Sequence, residues 1–301
     1  MATSGFRELI IASKALLTYS NNWLVVRSHE GTKKVFLDEV EVVIIENPAS
    51  SITAYCAVEM AKRNIKLVFC DEKHNPVSEA LPLYGSYDCA AKLKAQTQWE
   101  ESRKAAVWQA IICQKISHQA ALLAELGCDQ ASAALQAECQ NVMPDDSTNR
   151  EGMAARIYFN AIFGLDFNRQ RGLATEDLEE AGLYNAALNY GYAILTSLFN
   201  RYVVAAGYST QLGIFHRGAE NQFNLSCDLM EPYRSIVDRE VLLGDMATLD
   251  AAAKYRLANL IFAEVTIDGT RQTLDNAVPI YLRSVFDVLG SNTGTILDYE
   301  L

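Results

Sequence analysis

Of the four histidines, His216 stands in TQLGIFHRGAENQFNLSCDLMEPYR (210–234), a polar and aromatic stretch with little helical periodicity, the kind of loop in which binding and catalytic groups concentrate. Asp228 and Glu231 follow it in sequence and, at i and i+3, project from one side of a helix. One imidazole and two carboxylates could share a metal. The same Asp-x-x-Glu spacing also fits a capping box, in which both acids only satisfy amide groups at a helix start, and Pro232 is comfortable near such a start. Glu151 lies in DDSTNREGMAARIYFN (145–160), where Thr148 and Glu151 again fit a capping box leading into a helix. Arg150 and Arg156 flank it, and a helix N-terminus beside guanidinium groups favours an anion such as a phosphate. The remaining histidines read as surface groups: His29 beside a turn, His74 opening a loop, His118 on the polar face of a long helix.

The chain that must position these groups has 301 residues, 50% of them apolar and 21% charged, enough to bury one or two sizeable cores and incompatible with intrinsic disorder. No 20-residue window is apolar enough to cross a bilayer, so no membrane association is expected. The start MATSGFRELIIASKALLTYS lacks a basic n-region and an uninterrupted apolar core, which argues against a secretory signal and for a cytoplasmic location. Seven cysteines without a CxxC pair suit a reducing compartment. The net charge of −11 is uneven: residues 1–95 hold 11 Lys+Arg against 11 Asp+Glu, residues 96–301 hold 15 against 26. Taken alone, that balance disfavours a polyanion partner, although net charge does not locate patches.

Two patterns follow one another. LIIAS (9–13), WLVVRS (23–28) and KVFLDEVEVVIIE (34–46) alternate or are rich in branched side chains and predict strands, with turn residues at 21–22 and 30–31. Residues 50–64 predict a helix and 65–72 a further strand. From Ala90 to Gly127 the spacing predicts one long helix, and further helices are expected over 130–140, 150–163, 184–206, 228–244, 248–265 and 272–289. The fold class is therefore α+β: a β-rich N-terminal domain (1–85), a linker (86–95), an all-α C-terminal domain (96–290) carrying the candidate site, and a loose tail (291–301).

Three blocks, NREGMAARIYFN (149–160), NAALNYGYAIL (185–195) and NQFNLSCDLMEPYR (221–234), occur in the order found in one family, and nearly the whole chain resembles it: the CRISPR-associated integrase of the adaptation complex, Cas protein one, in its type II branch and subtype A. The resemblance implies that Glu151, His216 and Glu231 hold a divalent metal and are catalytic, with Asp228 an accessory acid. Oxygen ligands with one imidazole suit Mg²⁺ or Mn²⁺. It further implies an endonuclease and integrase that joins 3′-OH ends of short DNA fragments into the leader–repeat end of a CRISPR array by transesterification. A homodimer formed through the β-rich domain is implied, with two such dimers bridged by a dimer of Cas protein two on double-stranded DNA. Arg156, Arg234, Arg150 and Arg217, the cations nearest the motifs, are the candidate phosphate contacts, or else pair with the excess carboxylates. Two other roles fit the residues: a structure-specific nuclease acting outside adaptation, and a non-catalytic acidic helical scaffold whose acids are caps.

Overall fold

The computed structural model describes residues 7–72, 76–80, 88–164, 180–244, 248–291 and 294–300; His74 lies outside them. The chain opens with β1 (Arg7–Ile11), β2 (Ala15–Ser20), β3 (Trp23–Ser28), β4 (Gly31–Phe36), β5 (Val40–Ile45) and β6 (Ser51–Ile52), then helix α1 (Ala54–Lys62), β7 (Lys66–Cys70) and β8 (Pro76–Ala80). One sheet has the order β4-β3-β2-β6, the other β1-β5-β7-β8. Asn21 and Asn22 close the β2–β3 hairpin with φ of 47° and 69°, left-handed values that asparagine tolerates and a tight hairpin demands. The expected single strand over 34–46 is split: Leu37–Glu39 forms a 3₁₀ turn that buries Leu37 and hands the chain from the first sheet to the second.

In the second sheet β1, β5 and β7 run parallel, and α1 supplies the crossover that parallel neighbours require. β5 is buried along its whole length. Its alternate residues serve two different cores. Val43 and Ile45 join Leu67, Leu17 and Met60 on one side, while Val42 and Ile44 join Val68, Trp108 and Phe199 on the other. The sheet is thus a wall shared between the β-rich region and the helices.

The helical part comprises α2 (Cys89–Gln96), α3 (Glu101–Glu125), α4 (Asp129–Gln140), α5 (Arg150–Phe163), α6 (Glu180–Ala205), α7 (Asn224–Leu229), α8 (Arg234–Leu243), α9 (Ala251–Ala258) and α10 (Leu274–Ser291). α3 runs through its centre with Val107, Trp108, Ile111, Ile112 and Ile116 buried. α6 crosses α8 closely at Gly191, where a Cβ would come within 2.3 Å of Val237. Several sequence expectations are corrected. The helix expected from Ala90 to Gly127 breaks between α2 and α3, and that over 228–244 breaks around Pro232. Proline has no N–H for the helical ladder.

The second part is mostly helical rather than all-helical. The helix expected to reach residue 265 ends at Ala258, and β9 (Glu264–Ile267), β10 (Thr270–Thr273) and β11 (Tyr299–Glu300) form a small antiparallel sheet. Its hairpin turns on Asp268–Gly269, both at positive φ, an Asp-Gly signal that the sequence carried. The tail expected to be loose instead ends in β11, with Tyr299 2% exposed. Among the described residues no helix is long and apolar enough to cross a membrane.

Charged side chains clasp the two parts together. Glu79 of β8 accepts from Ser197 Oγ and Asn200 Nδ2 of α6, each at 2.6 Å, and pairs with Lys66 Nζ at 3.4 Å. Arg201 of α6 bridges Glu41 and Asp275, and Lys254 of α9 meets Glu46 at 3.1 Å. Every one of these ionised side chains is under a tenth exposed, and burial pushes the Lys66 ammonium down to about 8. Removing one member of a buried pair strands its partner. Glu79→Ala is therefore expected to cost about 3–5 kcal/mol, read from the urea midpoint, whereas Arg271→Ala, at the exposed Arg271–Glu264 pair, leaves the midpoint nearly unchanged.

Candidate functional site

The start of α5 is not built as a capping box. Asp145, Asp146 and Asn149 adopt left-handed backbone, and the Asp146 carboxylate accepts from Arg150 N at 2.7 Å and Glu151 N at 3.0 Å. Asp146 is the cap, and Thr148 is not. The Glu151 carboxylate, freed from capping, points toward α3. There its Oε1 meets Lys115 Nζ at 2.5 Å. The same ammonium lies 2.6 Å from Glu231 Oε2, so the first and last acids of the candidate trio converge on one cation.

Glu231 opens a 3₁₀ turn, Glu231–Tyr233, set between α7 and α8 by Pro232. Its side chain is 3% exposed, with Oε1 on Arg234 at 2.9 Å and Oε2 buried without a hydrogen bond, in ionic contact only. Burial opposes charge on this carboxylate, but Arg234 and Lys115 outweigh it and hold the acid below its ordinary range. Burial likewise opposes charge on Lys115, and the two glutamates overcome it, raising the ammonium above its ordinary value.

Asp228 is not a cap either. It is fully buried within α7, and its carboxylate accepts from three successive amides, Ile214 N at 2.6 Å, Phe215 N at 2.9 Å and His216 N at 3.1 Å, and from His216 Nδ1 at 2.5 Å. The loop curls this tightly because residue 213 is glycine: a Cβ there would sit 2.3 Å from the His216 carbonyl and 2.8 Å from Asp228 Oδ2. Phe215 stacks on Trp108 of α3 at 4.5 Å, and the His216 ring meets the same indole edge-on at 5.8 Å. Asn221 and Asn224 of the NQFN block tie the loop down: Asn221 Oδ1 accepts from Phe223 N, and Asn224 Nδ2 donates to the carbonyls of Gln211 and Gly218. The Asp228 carboxylate raises the His216 pKa above its ordinary 6.5 against the opposing effect of burial, with Glu231 and Glu151 adding to the rise.

Of the four arginines, Arg150 pairs with Glu138 at 2.9 Å, Arg217 with Glu101 at 2.7 Å, and Arg234 with Glu231 while its guanidinium lies 4.7 Å over the Tyr192 ring. Arg156 is exposed and makes no ion pair among the described residues. It lines a cavity of about 550 Å³ together with Lys115, Asn160, Cys227 and Arg234. His216 borders a second cavity of about 660 Å³ beside Lys104, Arg217 and Gln222, so Lys115 and the histidine loop each face a groove. Asn185 and Tyr190 are core residues, 3% and 0% exposed.

Among the described residues no three His, Cys, Asp or Glu side chains group closely enough to hold a metal as they stand. Lys115 Nζ takes the point between the two glutamates. The donor set nevertheless suits a hard divalent cation: two carboxylates already share one positive charge, and an imidazole within their field is held by Nδ1. Lys115 was missed in the sequence. Its signal was a lone lysine on the buried stripe Trp108, Ile111, Ile112 and Ile116, where an unpaired charge does not belong.

A family profile described as "CRISPR associated protein Cas1" matches residues 9–244. The CRISPR-associated endonuclease Cas1 of Neisseria meningitidis serogroup C is 33% identical over 292 residues, spanning 94% of this chain and 93% of that protein. Among solved structures, a casposase bound to integration product superposes with a TM-score of 0.79 at 17% identity, over 96% of this chain and 92% of its own. A Cas6-RT-Cas1–Cas2 complex superposes at 0.73 with 18% identity, over 98% of this chain and 36% of that one. At such identities the structural likeness speaks for the fold.

Two measurements check the electrostatics. Lys115→Met leaves the two glutamates facing each other, and the metal-free variant is expected to lose about 3–5 kcal/mol of stability in a denaturant titration. In Asp228→Asn the imidazole loses its carboxylate partner, so His216 should titrate at lower pH than in the parent, followed by its ring resonances in NMR.

Proposed function

The chain belongs to the Cas1 family of CRISPR-associated proteins, and from that membership we propose that it is a metal-dependent DNA integrase and endonuclease of CRISPR adaptation. The 3′-OH of a short DNA fragment attacks a phosphodiester at the leader–repeat junction of the array. A P–O bond to the fragment forms as the P–O bond of the attacked strand breaks, and the displaced strand leaves with its oxygen. With water as the attacking group the same displacement is hydrolysis. The motif variants REG-x-AARIYFN and D-x-MEPYR support the type II branch, and subtype A within it.

The observation that carries this reading is the convergence of Glu151 and Glu231 on one buried cation beside an imidazole held by Asp228. Glu151, His216 and Glu231 are assigned as ligands of Mg²⁺ or Mn²⁺. When bound, such an ion supplies Lewis acidity, easing deprotonation of the attacking hydroxyl and neutralising charge on the phosphodiester. Asp228, by accepting from Nδ1, leaves His216 Nε2 as the ring atom available to a ligand and fixes the plane of the ring. Arg234 holds one oxygen of Glu231, so that the other faces the site. Arg156, exposed on the cavity wall, is the first choice for a DNA phosphate contact, followed by Arg234. Arg150 and Arg217, paired with Glu138 and Glu101, would exchange carboxylate partners for phosphates.

For assembly, the sheet β4-β3-β2-β6 exposes Leu16 and Trp23, and α1 exposes Tyr55 and Val58. These apolar groups support a homodimer through the β-rich region. A dimer of Cas2 bridging two such dimers on double-stranded DNA completes the proposal, in keeping with the Cas1–Cas2 composition of one structural neighbour.

Incubated with Mn²⁺, 3′-hydroxyl oligonucleotides and repeat DNA, the protein is expected to yield branched joining products, and Glu151→Ala and His216→Ala to reduce them to background while retaining DNA binding. Joining that persists in both variants would sink the assignment, and cleavage without any branched product would favour a nuclease outside adaptation.

A further inference from the structure

We infer that the segment Leu297–Glu300 is a brace that positions Glu231, with Tyr299 as its positioning residue. The inference rests on the reading of Glu231 as a metal ligand and adds the element that holds its backbone.

The 3₁₀ turn carrying Glu231 is closed locally by Tyr233 N on the Met230 carbonyl and Arg234 N on the Glu231 carbonyl, while Pro232 has no N–H to add. Further restraint reaches it through the Pro232 carbonyl one residue past Glu231. That oxygen accepts from Ser235 Oγ at 3.3 Å within the chain's next turn, and from two groups of remote elements, His118 Nδ1 at 2.9 Å and Tyr299 OH at 3.2 Å. The Tyr299 hydroxyl also meets Ser235 Oγ at 2.9 Å, in the first turn of α8.

The phenol ring is clamped as firmly as its hydroxyl. It stacks on Tyr233 at 4.5 Å with 20° between planes and lies 4.2 Å from the His118 ring. His118 Nε2 lies 3.1 Å from Asp298 Oδ1 and donates to it when the ring carries both protons, so one imidazole spans the brace and the turn. The segment itself is fixed from three sides: β11 pairs with β9, Leu297 N donates to Ser284 Oγ at 3.0 Å, and Gln114 Nε2 donates to the Leu297 carbonyl at 3.1 Å. Lys115 and His118 stand at i and i+3 on α3. One helix face therefore meets the Glu231 carboxylate and grips the backbone behind it. A carboxylate whose main chain is pinned within hydrogen-bonding distance on two sides arrives at a cation already oriented.

The test is calorimetric titration of the full chain with MnCl₂. Wild type should bind and Glu231→Ala should bind far more weakly. Tyr299→Ala is expected to weaken binding about tenfold, and Tyr299→Phe, which keeps the stacked ring and loses only the hydroxyl, by less. Glu79→Ala, destabilising at the buried clasp between β8 and α6 but touching neither the brace nor the Glu231 turn, should bind as wild type does. Tyr299 variants that bind like wild type would overturn the brace while leaving Glu231 a ligand, and so would an equal loss in Glu79→Ala. A wild type that takes no Mn²⁺, or an undiminished Glu231→Ala, would overturn the ligand assignment and the brace with it.

Discussion

Two carboxylates drawn from different elements into a largely desolvated space repel each other unless a cation stands between them, and Lys115 is that cation. Its ammonium joins Glu151 on α5 to Glu231 on the turn before α8, and its own helix, α3, forms the axis against which both are packed. The lysine can stay charged because the glutamates outweigh the cost of burying it, and Glu231 can stay ionised because Lys115 and Arg234 do the same for it. Burial works against the charge of both Lys115 and Glu231, and each depends on its partners to keep it. This mutual dependence places carboxylates 80 residues apart in sequence on one point, and it defines a seat of positive charge that a divalent cation could share or take over.

The rest of the site follows a similar logic at lower charge. Burial raises the Asp228 pKa, and three amides and an imidazole that bond its carboxylate oppose the rise and fold the loop that carries His216. The loop, in turn, is pressed onto α3 by the Phe215–Trp108 stack. α3 thus contacts every part of the cluster: Lys115 at the acids, Trp108 at the histidine loop, His118 behind the Glu231 turn. Farther away, the shared sheet and the buried pairs around Glu79, Arg201 and Lys254 fix the β-rich region onto the helices, so that an interface formed by the sheets would be held rigidly with respect to the site.

Much of the fold was legible because its cause is local. Alternation in WLVVRS, the unbroken apolar run of VEVVII and the helical stripes of α3 to α6 each declare an element through their own periodicity. Errors arose where tertiary contacts override that periodicity. Residues 34–46 look continuous, but the chain must change sheets and does so by burying Leu37. The end of the chain looks polar and loose, but Tyr299 has a slot between Tyr233 and His118. The Asp-Gly turn between β9 and β10 is legible in the sequence, but the apolar residues around it also suit a helix.

By itself the sequence determined which chemical groups were on offer: acids at 151, 228 and 231, one histidine in a loop built to be held, and arginines close by, in an order that marks a family. Spacing left each acid free to be a helix cap, since a capping carboxylate and a ligand carboxylate look alike along a chain. Only the tertiary structure showed that these acids do not serve as caps. It supplied Asp146 to cap α5 and the amides of a remote loop to engage Asp228, leaving Glu151 and Glu231 to meet. It also placed Lys115 between them, a partnership that depends on distance in space and therefore leaves in the sequence no more than one charge on an otherwise apolar face.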